Sequence, residues 1–306
     1  MPHIKTSDGV RLHYEETGTG EPLVFLHEFG GHYLSWEPQV RYFSRYYRCI
    51  TYAARGWPPS DVPDRVEAYS QARAADDCAD LLRALNIDKA HLCGLSMGAT
   101  AALEFAIRHP GKALSLVIAA GGGGGSTDAA AKLRFKEECE AFARRIEDEG
   151  MAAMAGLYCT SSARNTFRDK DPRGWAEFKQ QFAEGSAMGH AMTMRGIQGA
   201  RQPFFERTAE LEKIAEPMLV VIGDEDESTH GLAVHLKRHV PRSGVLELPK
   251  CGHTINLEEP AAFNRAVQEF LHAVQCGRWP ARGAKTYTLI PSAIAFEQKF
   301  PSSRAE

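Results

Sequence analysis

The chain has 306 residues, 43% of them hydrophobic and 25% charged, with a formal net charge of −3. That balance describes a soluble globular protein long enough for one large core plus a second layer. The mild acidity, without a clustered Lys/Arg face, excludes a nucleic-acid footprint. The opening MPHIKTSDGV has no apolar core and no apolar run approaches 18 residues, so neither a secretory signal nor a membrane span is expected.

In chain order, VRLHYEET (10–17) follows an Asp8-Gly9 turn and reads as the second half of an opening hairpin. PLVFLH (22–27) reads as a buried strand running into Glu28-Phe29-Gly30-Gly31-His32. His27-Glu28 imitates the start of a zinc-protease helix, but that motif needs its second histidine four residues on. Here it falls five residues on, roughly 140° around a helix, and Gly30 and Gly31 disfavour helix altogether. No metal site is read here. A strand over 47–54 precedes a helix over 70–85, in which Ala74, Asp77, Cys78, Leu81, Leu82 and Leu85 recur at mixed three- and four-residue steps. Strands over 89–96, 112–121, 216–225 and 243–250 and helices over 97–109 and 260–274 follow. Strands separated by helices predict a mainly parallel sheet covered on both faces.

Residues 126–214 break the alternation, offering only helix-like patches at 129–149, 151–157, 172–183 and 206–214. The glycines at 121–125 lack the Gly-Lys-Ser/Thr of a phosphate loop and read as a hinge. The expected division is therefore a core of 1–125 and 215–276, a helical insertion of 126–214, and an extension of 277–306. The extension, with little periodicity, reads as loosely attached. Seven scattered cysteines without a C-x-x-C spacing read as reduced thiols of a cytoplasmic protein.

The chemistry gathers at three strand ends. Gly94-Leu95-Ser96-Met97-Gly98 is a G-x-S-x-G between a strand and a small-residue helix. A nucleophile on such a turn takes a strained backbone, flanking glycines allow close chain approach, and the helix N-terminus favours a developing oxyanion. Asp224 and Asp226 end a later strand, and Cys251-Gly252-His253 follows the last one. Serine, acid and histidine thus come in the order an imidazole base with a carboxylate partner requires. His230, His235 and His239 read instead as an exposed helix face.

On these motifs the chain, from residue 1 to about 274, resembles the α/β-hydrolase fold superfamily, in the group with a helical cap after the sixth strand. The resemblance implies an eight-stranded, mostly parallel sheet flanked by helices. It makes Ser96 the nucleophile, Asp226 the acid through its Gly-x-x-Asp pattern, and His253 the base. Phe29 and Met97 then donate the two oxyanion-hole N–H groups, His27 braces their loop, and Arg55-Gly56 matches the family's Arg-Gly turn. Glu28, where the family usually has glycine, and Ala53, where it commonly has aspartate, depart from the pattern.

Serine, rather than the aspartate of haloalkane dehalogenases and most epoxide hydrolases of this fold, implies acyl chemistry without a cofactor on a small-molecule carboxylic ester or lactone. The alternatives are C–C cleavage of a vinylogous diketone, acyl transfer on the same site, or a small-molecule receptor that retains the triad. Oligomeric state is left open. Candidate pocket residues from the insertion are Trp175, Phe178, Phe182, Met188, Met192 and Met194. Glu28 is the unusual one, because an ionised carboxylate about 6 Å from an oxyanion opposes it by roughly 3 kcal/mol at an effective dielectric near 20. It must face away, pair with a cation such as Arg55, or meet a substrate group.

Overall fold

The structure, a computed structural model, describes residues 2–122 and 127–283. Eight strands, β1 (His3–Lys5), β2 (Arg11–Thr17), β3 (Pro22–Leu26), β4 (Arg48–Tyr52), β5 (Ala90–Leu95), β6 (Ala113–Ala119), β7 (Met218–Gly223) and β8 (Ser243–Leu248), form one sheet. Their order is β1-β2-β4-β3-β5-β6-β7-β8. The β1–β2 and β2–β4 pairings are antiparallel and the rest parallel. Every residue of β5 (AHLCGL) and β7 (MLVVIG) is buried, as central strands covered on both faces require, whereas β8 at the edge alternates.

The period of two along each strand divides the core. From β3, Val24 and Leu26 join a cluster with Cys78 and Leu81 of α2 (Gln71–Ala84), Leu103 and Phe105 of α3 (Met97–Arg108), and Leu232 of α9 (Glu227–His239). Leu23 and Phe25 point the other way, to Phe43 of α1 (Glu37–Phe43) and to Phe263 and Phe270 of α11 (Pro260–Gln275), which follows the short α10 (Ile255–Glu258).

Between β6 and β7 the described residues form no strand. They form α4 (Ala129–Tyr158), α5 (Ser162–Lys170), α6 (Pro172–Ala183), α7 (Ala187–Thr193), a π-turn (Met194–Gln198), a 3-10 turn (Phe204–Glu206) and α8 (Thr208–Leu211). Gly150, at φ 79° and ψ 165°, interrupts α4 where the sequence separates the patches 129–149 and 151–157. The helix expected over 206–214 is shorter, a 3-10 turn and one turn of α8. A third apolar cluster joins the insertion to the sheet: Phe29, Trp57 and Met97 from strand ends meet Met154, Phe178, Phe182 and Met192.

The hinge read at 121–125 and the tail beyond 283 lie largely outside the described residues. The start of the tail is not loose. Trp279 donates its indole N–H to Arg242 O (2.8 Å) and packs on Phe270 with ring centroids 4.8 Å apart, and Arg282 donates to Val240 O (2.8 Å). Two long side chains do here what periodic anchoring does elsewhere. Among the described residues no helix is long and apolar enough to cross a membrane.

Candidate active site

Strand β5 ends at Leu95, and Ser96 turns the chain into α3 with φ 53° and ψ −109°, a combination L-residues avoid. Hydrogen bonds over-determine it: Ser96 N–H donates to Ala119 O (2.8 Å) and Thr100 N–H to Ser96 O (3.0 Å). The flanking glycines are there for space. A Cβ on Gly98 would run into Leu26 O, and one on Gly94 into Gly98 O. Met97 then opens a helix of 12 residues, with its first-turn N–H groups and partial positive charge at Ser96.

The loop after β3 stands beside this turn. His27 is buried, donating from Nδ1 to Glu28 O (2.8 Å) while Nε2 accepts from Ala54 N–H (3.0 Å). Burial pushes its pKa down to about 3, so the ring is neutral and its two nitrogens tie this loop to the one after β4. Gly30 admits the rings of Tyr158 and Phe178 where a Cβ would collide, and a Cβ on Gly31 would press on Glu28 Cγ (3.0 Å). Phe29 follows Glu28, its ring edge-on to Trp57, Tyr158 and His190. Among the described residues the backbone N–H groups of Phe29 and Met97 have no backbone acceptor.

Glu28 is 1% exposed and forms an ion pair with Arg164 of α5. Arg164 also donates to Tyr158 OH (2.9 Å) and stacks 4.2 Å from the centroid of that ring. The cation is therefore Arg164 and not Arg55, whose guanidinium is committed to Asp77 (2.7 Å to each oxygen) and Asp8 (2.9 and 3.0 Å). That buried pair of contacts pins the Arg55-Gly56 turn, where Gly56 takes φ 90° and Gly189 of α7 lies so close that a Cβ there would run into Gly56 O.

Of the two candidate acids, Asp224 is used locally, accepting Cys251 N–H (3.1 Å). Asp226 is buried; its Oδ2 accepts from His253 Nδ1 (2.5 Å) and its Oδ1 from Ser228 Oγ (2.7 Å). Burial alone would raise its carboxyl, but the hydrogen bond and charge of His253, with Ser228 and Arg164, hold it below the ordinary value. The direct hydrogen bond of this set is the one between Asp226 and His253. Helix α5 and Glu258 shape the His253 loop: His253 N–H donates to Ala163 O (2.9 Å), and Glu258 accepts from Gly252 N–H (2.8 Å), Thr254 N–H (3.1 Å) and Thr166 Oγ1 (2.7 Å).

Of the insertion residues singled out, Met192, Phe178 and Phe182 belong to the cluster around Phe29 and Met97, with Met194 and Trp175 packed partly against it. Trp175 spends its indole N–H on Cys159 O (2.8 Å), and Met188 is 42% exposed. Sequence reasoning passed over Arg164 and Ala163. The available signal was Glu28 itself, since a buried carboxylate requires a cation.

Residues 23–266 match the sequence profile of the alpha/beta hydrolase family. The chain is 28% identical over 254 residues to 3-oxoadipate enol-lactonase 1 of Acinetobacter baylyi, covering 83% of this chain and 89% of that one. It is 27% identical to the putative 2-succinyl-6-hydroxy-2,4-cyclohexadiene-1-carboxylate synthase of Bacillus subtilis, covering 89% and 98%. Among solved structures, a thermophilic esterase from Thermogutta terrifontis superposes with a TM-score of 0.77 at 26% identity, covering 89% and 98%. With the profile spanning most of its length, the chain belongs to the alpha/beta hydrolase family.

Proposed function

We propose that this chain is a serine hydrolase that forms an acyl-enzyme on a small carboxylic ester or lactone. The observation that carries the reading is Ser96 itself, held at φ 53° at the head of α3 in a chain that also pairs Asp226 with His253. His253 Nε2 takes the proton of Ser96 Oγ as the oxygen attacks the carbonyl carbon. Asp226 keeps Nδ1–H directed at itself, fixing the tautomer and stabilising the imidazolium. The tetrahedral oxyanion is held by the N–H groups of Phe29 and Met97, and the partial charge of α3 favours it. Collapse expels the alkoxide, which leaves with the proton from His253; in a lactone it stays attached to the acyl group. Water activated by the same imidazole then releases the acid and regenerates Ser96.

The helices between β6 and β7 act in this reading as a cap over the site, and Phe182, its ring against Phe29, and Met192 of the same apolar cluster line the wall that meets an acyl chain. The relatives named for an enol-lactone and for ester hydrolysis support an ester or lactone over a C–C bond. A fluorophosphonate probe followed by peptide mapping tests the nucleophile, with labelling at Ser96 expected. A chain-length panel of p-nitrophenyl esters, with a lactone and a vinylogous diketone beside it, tests the bond type. Turnover of the diketone alone would replace the ester reading with C–C hydrolysis.

A further inference from the structure

Among the described residues, two arginines buried near the strand ends face carboxylates, Arg55 meeting Asp77 and Asp8, and Arg164 meeting Glu28; a third, Arg201, is half-buried. It lies between the π-turn and β7. Its Nη1 donates to Thr100 Oγ1 (3.0 Å) and its Nη2 to Gln198 Oε1 (3.1 Å), both neutral acceptors, while its enclosed Nε has no protein partner. Among the described residues no carboxylate pairs with it. Burial lowers its pKa to about 10, which still leaves it protonated at neutral pH. A strut between Gln198 and Thr100 needs only hydrogen-bond donors, which an uncharged amide supplies. A half-buried cation without a counter-charge gives up part of its hydration for two neutral contacts, which leaves its charge free for a ligand.

Its position suits one. Thr100 lies one turn along α3 from Ser96, about 6 Å by helical rise. Arg201 Nη2 is also 4.0 Å from where a Cβ on Gly122 would stand, on the chain leaving β6 next to Ala119, the acceptor of Ser96 N–H. The guanidinium thus sits among the nucleophile helix, the exit of β6 and the inserted helices, and glycine at 122 keeps a side chain from filling the space before it.

We propose that Arg201 binds a carboxylate of the substrate, so that the substrate class is an ester or lactone bearing a second, ionised carboxyl group. With the fork held at Thr100, one turn of α3 from Ser96, a spacing on the order of 6 Å corresponds to roughly three to five bonds between that group and the carbonyl attacked by Ser96. The proposal rests on the serine-hydrolase reading and names the substrate of that site. Thr100 and Gln198 act as positioning residues, orienting the fork while the remaining Nη N–H donors meet the anion.

The test compares monoethyl glutarate and monoethyl adipate with ethyl pentanoate and ethyl hexanoate, on wild type, Arg201→Met and Arg201→Lys, by pH-stat. Calorimetric titration with glutarate runs beside it. Wild type should favour the half-esters by roughly ten- to hundredfold in kcat/KM, the range of a charge-assisted contact. Arg201→Met should lose at least tenfold more on half-esters than on neutral esters, mostly through KM, with Arg201→Lys recovering part. Glutarate should bind wild type and lose that binding in Arg201→Met. Equal losses on both ester classes would make Arg201 a strut and overturn the proposal, as would wild type showing neither half-ester preference nor glutarate binding. If Arg201→Met does not fold, the wild-type preference and glutarate titration decide alone. Turnover of neutral esters through Ser96 without half-ester preference removes the anion site and keeps the hydrolase. Activity on neither class, unchanged in Ser96→Ala, removes the hydrolase reading, and glutarate binding then still reports on Arg201.

Discussion

Among the described residues two Ser–His–carboxylate sets stand at opposite ends of one sheet. At the C-terminal ends of the strands stand Ser96, His253 and Asp226. At the N-terminal ends, His91 of β5 contacts Ser115 Oγ of β6 (2.7 Å from Nδ1) and Glu21 (3.3 Å from Nε2). By residue type and contact distance the second set is a complete triad. Ser115, however, lies within the regular strand β6 at 0% exposure, with no strand-to-helix turn at it, and its acid Glu21 is 50% exposed and shared with Gln275. Burial lowers the His91 pKa, so the ring is a neutral hydrogen-bonding link between strands. The difference teaches that residue types do not make a hydrolase. A serine becomes a nucleophile through a backbone that exposes it and amides that receive the charge it creates, and in an open α/β sheet both arise beyond the carboxyl ends of the strands.

The sharpest way to break the comparison is to remove each serine. Ser96→Ala should lower ester turnover by about 10⁴ or more with folding intact, whereas Ser115→Ala should stay within about twofold. Asp226→Asn should lose about 10⁴ and Asp224→Asn little; the reverse would move the acid to Asp224. A smaller effect tests the support around the first set. Arg164→Met leaves Glu28 without its cation beside Phe29 and should lower kcat on neutral esters about a hundredfold, with KM changing less. Adding Glu28→Gln should recover much of that loss. A double variant no better than the single one would mean that Arg164 acts through packing on Tyr158 instead.

Stability against pH gives the next effect. His27 and His190 are held neutral by burial, with pKa values of about 3 and about 4. Below the unfolded value near 6.5 the unfolded chain binds protons that the native state refuses, so stability falls as pH drops from 6.5 toward 4. At pH 5 each contributes a loss of about 2 kcal/mol, read by denaturant titration at pH 7.5 and 5, and His190→Gln should flatten the slope. The smallest effect belongs to the second set. His91→Gln should cost about 1–2 kcal/mol of stability through its lost contacts while leaving kcat/KM unchanged.

Much of this was legible in the sequence because strands and long helices announce themselves by period. Seven of the eight strands, β2 to β8, with α2, α3, α11 and the break in α4 at Gly150, follow from apolar spacing and glycine, while the three-residue β1 is implied only by the hairpin and the count of eight by the resemblance. What escaped was built from other signals. Helix α5 buries only Arg164 and Phe167, so no apolar stripe marks it, and its contact with Glu28 spans 136 residues. Helix α7 buries Gly189, His190, Ala191, Met192 and Thr193 in succession, which gives no amphipathic period. Trp279 and Arg282 anchor the tail singly. The partner of Glu28 could be demanded from electrostatics but not located, since sequence distance says nothing about which cation arrives.

Helix α5 reaches both halves of the chemistry, holding Glu28 through Arg164 and the His253 loop through Ala163 O. The inserted helices are therefore not an exchangeable module. Grafting them from a relative lacking this arginine would leave a buried anion at the loop after β3 and a histidine loop without its docking carbonyl. Such a chimera can fold and still be silent, whatever substrate its new walls admit. Transplanting specificity into this scaffold means moving α6 and α7 while α5 stays with the sheet, or carrying Glu28 and Arg164 across together as one inheritance.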